Sequence, residues 1–260
     1  MAEAATAVQN PPAGAQAVQR ALGLLHCFHD NGPDLSASDL ARRMGLSVST
    51  AHRLARTLVS AGFLEQDGQN ARYRLGPAVA ELGQLTFHQR GLHLAAPELE
   101  LLSRRTKATA DLAIRSGPHA VILVGGSVRP DTGLGLRRPL HSTALGKVLL
   151  AWPRPGRAAT SALGPLRPFT DRTITEPAVL EEELARVRVA GYALNDGESA
   201  DGVRTVAIPV LDGAGQARFA LAVRSTPAHL TDDRLDWFLG HARTCADALS
   251  VLLLPPGQRA

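Results

Sequence analysis

The chain has 260 residues, enough for one large domain or two ordinary ones. Its content of 45% hydrophobic and 20% charged residues is typical of globular proteins, and no apolar run reaches the ~18 residues that a membrane span needs. The net charge is +4, and every basic residue except Lys107 and Lys147 is arginine, which suits contacts with phosphates and bases. An arginine-rich chain also fits a GC-rich genome, so charge permits nucleic-acid binding without requiring it.

The cysteines and the first residues indicate the compartment. Cys27 and Cys245 lie far apart and match no metal or redox spacing, so we expect two reduced thiols in a cytoplasmic protein. Residues 1–14 lack the charge and the apolar core of a signal peptide, and their Ala, Pro and Gln content predicts a disordered tail.

The next sixty residues carry the pattern of a small helical domain. Apolar spacings of three and four predict a first helix over 16–29, which Asn-Gly-Pro at 31–33 stops. Ser36 and an acid three residues later form a capping box for a second helix that ends at Met44. A tight turn follows, and Ser47 caps a third helix that ends before a glycine at 62.

Short strands and a long mixed region complete the chain. Strand-like segments at 63–65 and 72–75 flank a polar hairpin tip, and a further helix is predicted over 77–88. Beyond residue 91 strands and helices are mixed, which predicts one α/β domain. Its helices are predicted over 95–107, 143–152, 176–190 and 231–253, and its strands over 111–115, 120–125, 133–138, 203–210 and 217–224.

The third helix predicts a DNA-reading surface. Its apolar side must pack on the first two helices and comprises Ala51, Leu54, Ala55 and Leu58. Its polar side comprises Ser49, Arg53, Arg56 and Ser60, flanked by Thr50 and His52. Small donors at the start of such a helix, with arginines behind them, suit the major groove.

We assign the DNA contacts by reach. Arg53 is placed for guanine edges and Arg56 for phosphate, while Arg72 and Arg74 on the hairpin would meet the flanking backbone or the minor groove. The full candidate set is Ser36, Ser47, Ser49, Thr50, His52, Arg53, Arg56, Arg72 and Arg74. The alternative is a three-helix domain whose arginines are merely solvated, since residues 16–76 hold seven Arg against five Asp and Glu.

Over residues 16–254 the chain resembles the IclR family of bacterial transcription regulators. The resemblance rests on AVQRAL at 17–22, LARRMGL at 40–46, STAHRL at 49–54, PLHSTALGK at 139–147, GYALND at 191–196 and GVRTVAIPV at 202–210. It implies an α+β protein with a winged helix-turn-helix at 15–76, a linker helix at 77–92 and a GAF-like α/β effector domain at 93–256. It also implies a homodimer or tetramer, a pseudo-palindromic operator in double-stranded DNA, and control by a small, often carboxylated metabolite.

The same resemblance implies an effector site. Its ligand-contacting positions fall on Ala144, Leu145, Asn195, Thr205, Ala222 and Arg224. Backbone N–H groups of the first two, at a helix start, can receive an anion, although the Gly-Lys pair at 146–147 can equally be the beginning of a buried helix.

Four of these side chains depart from members of the family that bind glyoxylate-like acids. Those members have an acid at the position of Asn195, cysteine at Thr205 and serine at both Ala222 and Arg224, so a glyoxylate-sized ligand is in doubt. An arginine inside a pocket needs an anion. We therefore expect Arg224 to anchor a larger anionic effector or to pair with an acid such as Asp196. The alternative places Arg224 at the domain edge, facing solvent or a partner subunit.

Two rival classes remain beside a ligand-responsive regulator. An enzyme would need a catalytic or cofactor motif, and the sequence contains no G-x-S-x-G, no G-x-G-x-x-G after a strand and no H-E-x-x-H. We therefore expect no catalytic residues, no metal site and no cofactor. A DNA-binding oligomeric scaffold that senses no ligand is the other class, and stabilisation by a metabolite would distinguish it from a sensor.

Overall fold

The computed structural model describes residues 14–29, 34–128, 136–153, 160 and 163–259. The chain divides into two compact units, Met1–Thr86 and Phe87–Ala260. The domain bounds expected at 15–76, 77–92 and 93–256 stay predictions. The tail expected over 1–14, except Gly14, and the helix stop at 31–33 lie outside the described residues, as does the start of the strand expected over 133–138.

The first unit contains the predicted three helices and hairpin. In chain order its elements are α1 (Ala15–His26), α2 (Ala37–Met44), α3 (Val48–Ser60), β1 (Leu64–Gln66), β2 (Tyr73–Leu75) and α4 (Pro77–Gln89), of which α4 continues three residues past the division. The two strands pair antiparallel, with Leu64 opposite Leu75 and Gln66 opposite Tyr73. The wing predicted from the strand-like segments is therefore present.

Caps define the helix-turn-helix. The Ser36 hydroxyl accepts from the Asp39 amide at 3.1 Å, and the Asp39 carboxylate accepts from the Ser36 amide at 3.1 Å, which confirms the capping box. Gly45 ends α2 with φ +62°, in the left-handed region that favours glycine. Ser47 then caps α3 by accepting from the Thr50 amide at 3.2 Å.

The core of the first unit fixes the orientation of α3. All four side chains predicted for its apolar side are buried. They share a cluster with Leu40 of α2, Leu24 of α1, and Leu64 and Tyr73 of the wing. Because this side is held from three directions, the polar side of α3 must face solvent.

The second unit is a six-stranded antiparallel sheet with helices on both faces. Its elements are α5 (Leu92–Thr106), β3 (Thr109–Ser116), β4 (His119–Gly125), β5 (Arg137–Pro139), α6 (Ala144–Ala151), α7 (Pro177–Ala190), β6 (Ala193–Asp196), β7 (Arg204–Leu211), β8 (Ala217–Ser225) and α8 (Leu235–Leu253). The strand order is β5-β4-β3-β8-β7-β6. In the described part of the chain no helix has the length and apolar character needed to cross a bilayer.

The two faces of the sheet differ in side-chain size. Large aliphatic residues such as Leu112 and Leu221 pack against α5 and α8. Alanines such as Ala207 and Ala222 pack against α6 and α7. Small side chains let α6 approach the sheet closely, and all eight of its residues are buried. A Cβ on Gly146 would lie 2.2 Å from the Leu140 carbonyl oxygen, so only glycine fits at this helix start.

Two predictions for the second unit were wrong in detail. Strand β6 was not predicted, because it has only four residues and its pairing with β7 is set by distant sequence. The last helix was expected from residue 231, but Asp232–Arg234 form a 3₁₀ turn before α8. The Arg234 amide there donates to the Thr231 carbonyl at 3.2 Å, the i→i+3 pattern of a tightened helix end.

Candidate functional site

The start of α3 presents a cluster of hydroxyl groups to solvent. Ser47 and Ser49 are exposed and Thr50 is half-buried. The Ser47 oxygen lies 3.1 Å from the Ser49 oxygen and 2.9 Å from the Thr50 oxygen. A helix N-terminus carries partial positive charge and unpaired N–H groups, so this cluster has the chemistry to bind a phosphate oxygen.

The four arginines predicted to contact DNA divide into two classes. Arg53 and Arg56 are exposed on α3 and form no ion pair with any described residue. On the wing, Arg72 Nε lies 2.5 Å from Asp34 Oδ1, and Arg74 Nε lies 2.7 Å from Glu65 Oε2. Of these four arginines, the two on α3 are therefore available without breaking an existing ion pair, and the two on the wing are not.

The remaining predicted residues of this surface have distinct roles in the fold. His52 is exposed beside Arg53. The Ser36 hydroxyl donates to Asp39 Oδ2 at 2.7 Å and is used by the capping box. These Ser36 hydrogen bonds lower the pKa of Asp39 from 3.8 to about 2, with a smaller contribution from Arg42. The DNA contacts of all nine predicted residues stay predictions.

All six residues predicted for the effector site line one cavity in the second unit. Its volume is about 50 Å³, and the six are Ala144, Leu145, Asn195, Thr205, Ala222 and Arg224. The structure thus brings together a helix start, a short strand and two long strands that are far apart in sequence. Sequence reasoning missed other wall residues, namely Asp111, Ile122, Ser127, Arg138, Thr143, Ser199 and Val203.

The start of α6 lines this cavity with two residues, Ala144 and Leu145. Thr143 caps the helix by accepting from the Gly146 amide at 3.1 Å, and its carbonyl accepts from the Lys147 amide at 2.9 Å. The amides of Ala144 and Leu145 donate to no group among the described residues. Two unpaired N–H groups at a helix start favour an anionic ligand atom.

Lys147 belongs to the packing of α6 and not to the cavity. Its side chain is 2% exposed, and its ammonium donates to Glu198 at 2.6 Å, to Glu183 at 3.0 Å and to the Leu194 carbonyl at 3.0 Å. Burial raises the pKa of Glu198 despite the attraction of Lys147. The interpretation of the Gly-Lys pair as the beginning of a buried helix therefore describes these two residues, while the two residues before them line the cavity.

Asn195 is a fixed wall of the cavity. It is 2% exposed; its amide nitrogen donates to Ser199 at 2.7 Å, and its amide oxygen accepts from the Glu198 backbone at 2.8 Å. Thr205 lies directly opposite Asn195 on β7, and Arg224 lies opposite Thr205 on β8. Three polar side chains from adjacent strands thus lie in one row across the sheet.

The sequence suggested Asp196 as a possible partner of Arg224, but the two residues form no ion pair in the structure. Asp196 lies 3.2 Å from Arg172 and 3.8 Å from Arg204 instead. One Arg224 nitrogen donates to the Ser127 hydroxyl at 3.0 Å, and Ser127 donates through its own hydroxyl and amide to buried Asp111 at 2.6 and 2.9 Å. The expectation failed because the period of a strand gives the face of Arg224 but not which neighbouring strand supplies the acid.

A second guanidinium shares this wall. Burial lowers the pKa of Arg138, and the nearby charge of Arg224 lowers it further, while Asp111 opposes both effects. The sequence did not indicate Arg138 as a wall residue. Its position depends on how β5 pairs with β4, where Arg138 lies opposite Ala120, and this pairing cannot be predicted from local sequence.

Comparisons with known proteins agree with this arrangement. A model of the IclR helix-turn-helix domain matches residues 17–68, and a model of the C-terminal domain of bacterial IclR transcriptional regulators matches residues 87–251. The regulator XynR of Escherichia coli is 35% identical over 246 residues, covering 92% of this chain and 97% of its own. The regulator BhcR of Paracoccus denitrificans is 33% identical over 257 residues, covering 95% and 91%.

Solved structures give the same result. An IclR regulator from Silicibacter is similar with a TM-score of 0.82 and 28% identity, over 94% of this chain and 100% of that one. An IclR homologue from Microbacterium hydrocarbonoxydans, solved with 4-hydroxybenzoate, has a TM-score of 0.70 and 25% identity over 91% and 98%. These relatives are transcription regulators and not enzymes, and the winged helix-turn-helix with an α/β effector domain is confirmed. The chain therefore belongs to the IclR family of bacterial transcription regulators.

Proposed function

We propose that the chain recognises a duplex operator with α3, and that a small anionic metabolite raises or lowers its affinity for this operator. The observation that carries the DNA part is the exposed side of α3, where Arg53 and Arg56 have no acidic partner among the described residues. Arg53 contacts guanine edges in the major groove, and Arg56 neutralises a phosphate. Ser47, Ser49 and Thr50 receive the adjoining backbone, and His52 lies beside them.

The wing has a secondary role in this proposal. Arg72 and Arg74 contact the flanking backbone only by exchanging Asp34 and Glu65 for phosphate oxygens. Each exchange loses one ion pair as it gains another, so the wing adds less affinity than α3. Ser36 keeps its capping role and meets DNA only at the edge of the interface.

The effector occupies the cavity at the start of α6. The amides of Ala144 and Leu145 and the guanidinium of Arg224 receive an anionic group, and Asn195 and Thr205 bind neighbouring polar atoms. Ala222 leaves the space that this group fills. Ligand binding favours one of two conformations that differ in operator affinity, which is a population shift.

The protein acts as a homodimer or a tetramer on a pseudo-palindromic site. Val18 and Leu22 on α1 and Leu82 and Leu85 on α4 are each more than half exposed, and α4 has no buried residue in the described chain. Apolar side chains left exposed on two helices favour association with a second copy. A chromosomal operator places this activity in the cytoplasm.

Operator binding tests the DNA part. Binding of the purified protein to its own promoter region is measured against an unrelated duplex at several salt concentrations. We expect a salt-sensitive preference for the promoter, because released counterions accompany each phosphate contact. Equal binding to both duplexes would overturn the proposal.

Release by metabolites tests the effector part. A panel of small carboxylates is screened for a change in operator affinity, first with the native chain and then with Arg224→Ala. The variant should bind the operator normally and lose the response, since Arg224 lies in the second unit. An unchanged response in that variant would exclude Arg224 as an anchor.

A further inference from the structure

A second, open groove adjoins the effector cavity. It lies where α5 ends, β3 begins and β8 ends, and its volume is about 390 Å³. Its described lining carries two cations, Lys107 and Arg224, together with four hydroxyl side chains and no acid. A concave surface with this composition attracts anions and offers them hydrogen bonds.

The groove and the cavity share a wall. Val203 and Arg224 line both. Ala222 of β8 lines the cavity, and Thr226, the first residue after β8, lines the groove, four residues and about 13 Å further on. Along β3 the groove has Thr109, paired with Arg224, and the cavity has Asp111 two residues later. One ligand of moderate length therefore spans the two spaces.

Lys107 is held in an unusual backbone conformation at this position. It ends α5 with φ +51°, where glycine is favoured and a side chain adds strain. Its side chain is exposed and forms no ion pair with any residue the structure describes. Glycine would relax the backbone here, so the lysine side chain is present at a conformational cost and leaves its ammonium group at the edge of the groove.

We propose that this groove is an outer anion site and that the effector is an elongated molecule with two anionic groups. One group enters the cavity and meets the Ala144 and Leu145 amides with Arg224. The other group stays in the groove and meets Lys107. The cavity of about 50 Å³ holds only one end of such a molecule. The groove therefore makes the protein prefer ligands with a second anionic group over ligands with one. This inference rests on the proposed effector cavity.

A ligand series tests the outer site on the full-length protein. Unbranched dicarboxylates from succinate to pimelate are compared with monocarboxylates of equal carbon number, at constant ionic strength, by calorimetric titration and thermal shift. At the length that fits, the dicarboxylate should bind about fivefold more tightly, the size expected for one exposed ion pair. Lys107→Gln should remove this preference without removing monocarboxylate binding, and Lys107→Arg should keep it.

The matched control is Arg105→Gln, which removes one charge two residues away on α5 and outside the groove. The outer site is overturned if no chain length favours the dicarboxylate, if the preference survives Lys107→Gln, or if Arg105→Gln abolishes it equally. It is also overturned if no carboxylate binds. Monocarboxylate binding without a dicarboxylate preference leaves the effector cavity standing, and operator binding without ligand tests the DNA surface separately.

Discussion

The exposed side of α3 and the walls of the effector cavity are both rich in polar groups, but these groups differ in how far they are already paired within the protein. Arg53 and Arg56 on α3 have no ion pair in the described chain, so this surface can meet phosphates without internal rearrangement. In the cavity, Arg224 already donates to Ser127, and Asn195 is bonded on both amide atoms. A ligand there gains only the difference between old and new hydrogen bonds.

This difference explains how the second site can act as a switch. A ligand that takes Arg224 away from Ser127 alters the turn after β4, and one that takes Asn195 alters the loop that follows β6. Part of the binding free energy of the ligand would thus offset the cost of rearranging the cavity wall. In the proposed function, the α3 surface binds DNA without rearrangement, whereas ligand binding in the cavity is coupled to a change of conformation.

The largest expected effect is on stability, and it tests how strongly the buried ion pairs of Lys147 hold the second unit together. Lys147→Ala leaves Glu183 and Glu198 facing each other without their buried cation. We expect the free energy of unfolding of the second unit to fall by about 3–5 kcal/mol in denaturant titrations. Arg186→Ala is the control, since Arg186 pairs with the same Glu183 at 2.8 Å but is 67% exposed, and it should cost less than about 1 kcal/mol. Equal losses in both variants would contradict the buried network.

The next effect tests the reading surface. Arg53→Ala should lower the discrimination between operator and random duplex by about 1–3 kcal/mol, because a base contact is lost, with the two binding constants measured at one salt concentration. Arg20→Ala on α1 is a control of equal charge that lies outside the predicted set. A uniform loss on both duplexes would make Arg53 a phosphate contact.

A smaller effect concerns the cap that orients the helix-turn-helix. Ser36→Ala should destabilise the first unit by about 1 kcal/mol at neutral pH. The carboxyl of Asp39 has its pKa depressed from 3.8 to about 2, so its contribution to stability is present above pH 3.8 and is lost as the pH falls toward 2. Unfolding measured between pH 5 and 2 should therefore show a steeper loss in the native chain than in Ser36→Ala. Parallel curves would contradict the capping box as the cause.

The smallest effect separates the wing from α3. Arg56→Ala should reduce the dependence of operator affinity on log salt concentration by about 1, as expected for one phosphate contact. Arg74→Ala should reduce it by less, because Arg74 is already neutralised by Glu65 at 2.7 Å. A larger change for Arg74 than for Arg56 would reverse the assignment of the two regions.

The first unit could be predicted almost completely from its sequence. Ser36, Ser47 and the apolar spacing of α3 act within one or two helical turns, and local signals of this kind are visible in a single chain. Every side chain predicted as the buried side of α3 is buried. What the sequence did not indicate is that Arg72 and Arg74 are paired, since Asp34 lies 38 residues from Arg72.

The second unit shows where such reasoning ends. The six cavity positions came from the family resemblance, whereas Asp111, Ser127 and Arg138 were missed. Asp111 and Arg138 are 27 positions apart in the sequence and meet at the cavity because of how the strands pair. The local pattern of residues does not indicate this pairing. Their acid, hydroxyl and guanidinium groups add charge and hydrogen-bonding capacity to the cavity wall.

The burial of α6 along its whole length has a mechanical consequence. A closely packed helix resists bending at its first turn, so a ligand bound at Ala144 in the proposed site would shift α6 as one rigid body. The contact of Lys147 with Glu183 on α7, at 3.0 Å, would pass such a shift to α7. The outward side of α7 carries Val189, which is 91% exposed, so a neighbouring molecule seated there would register the movement.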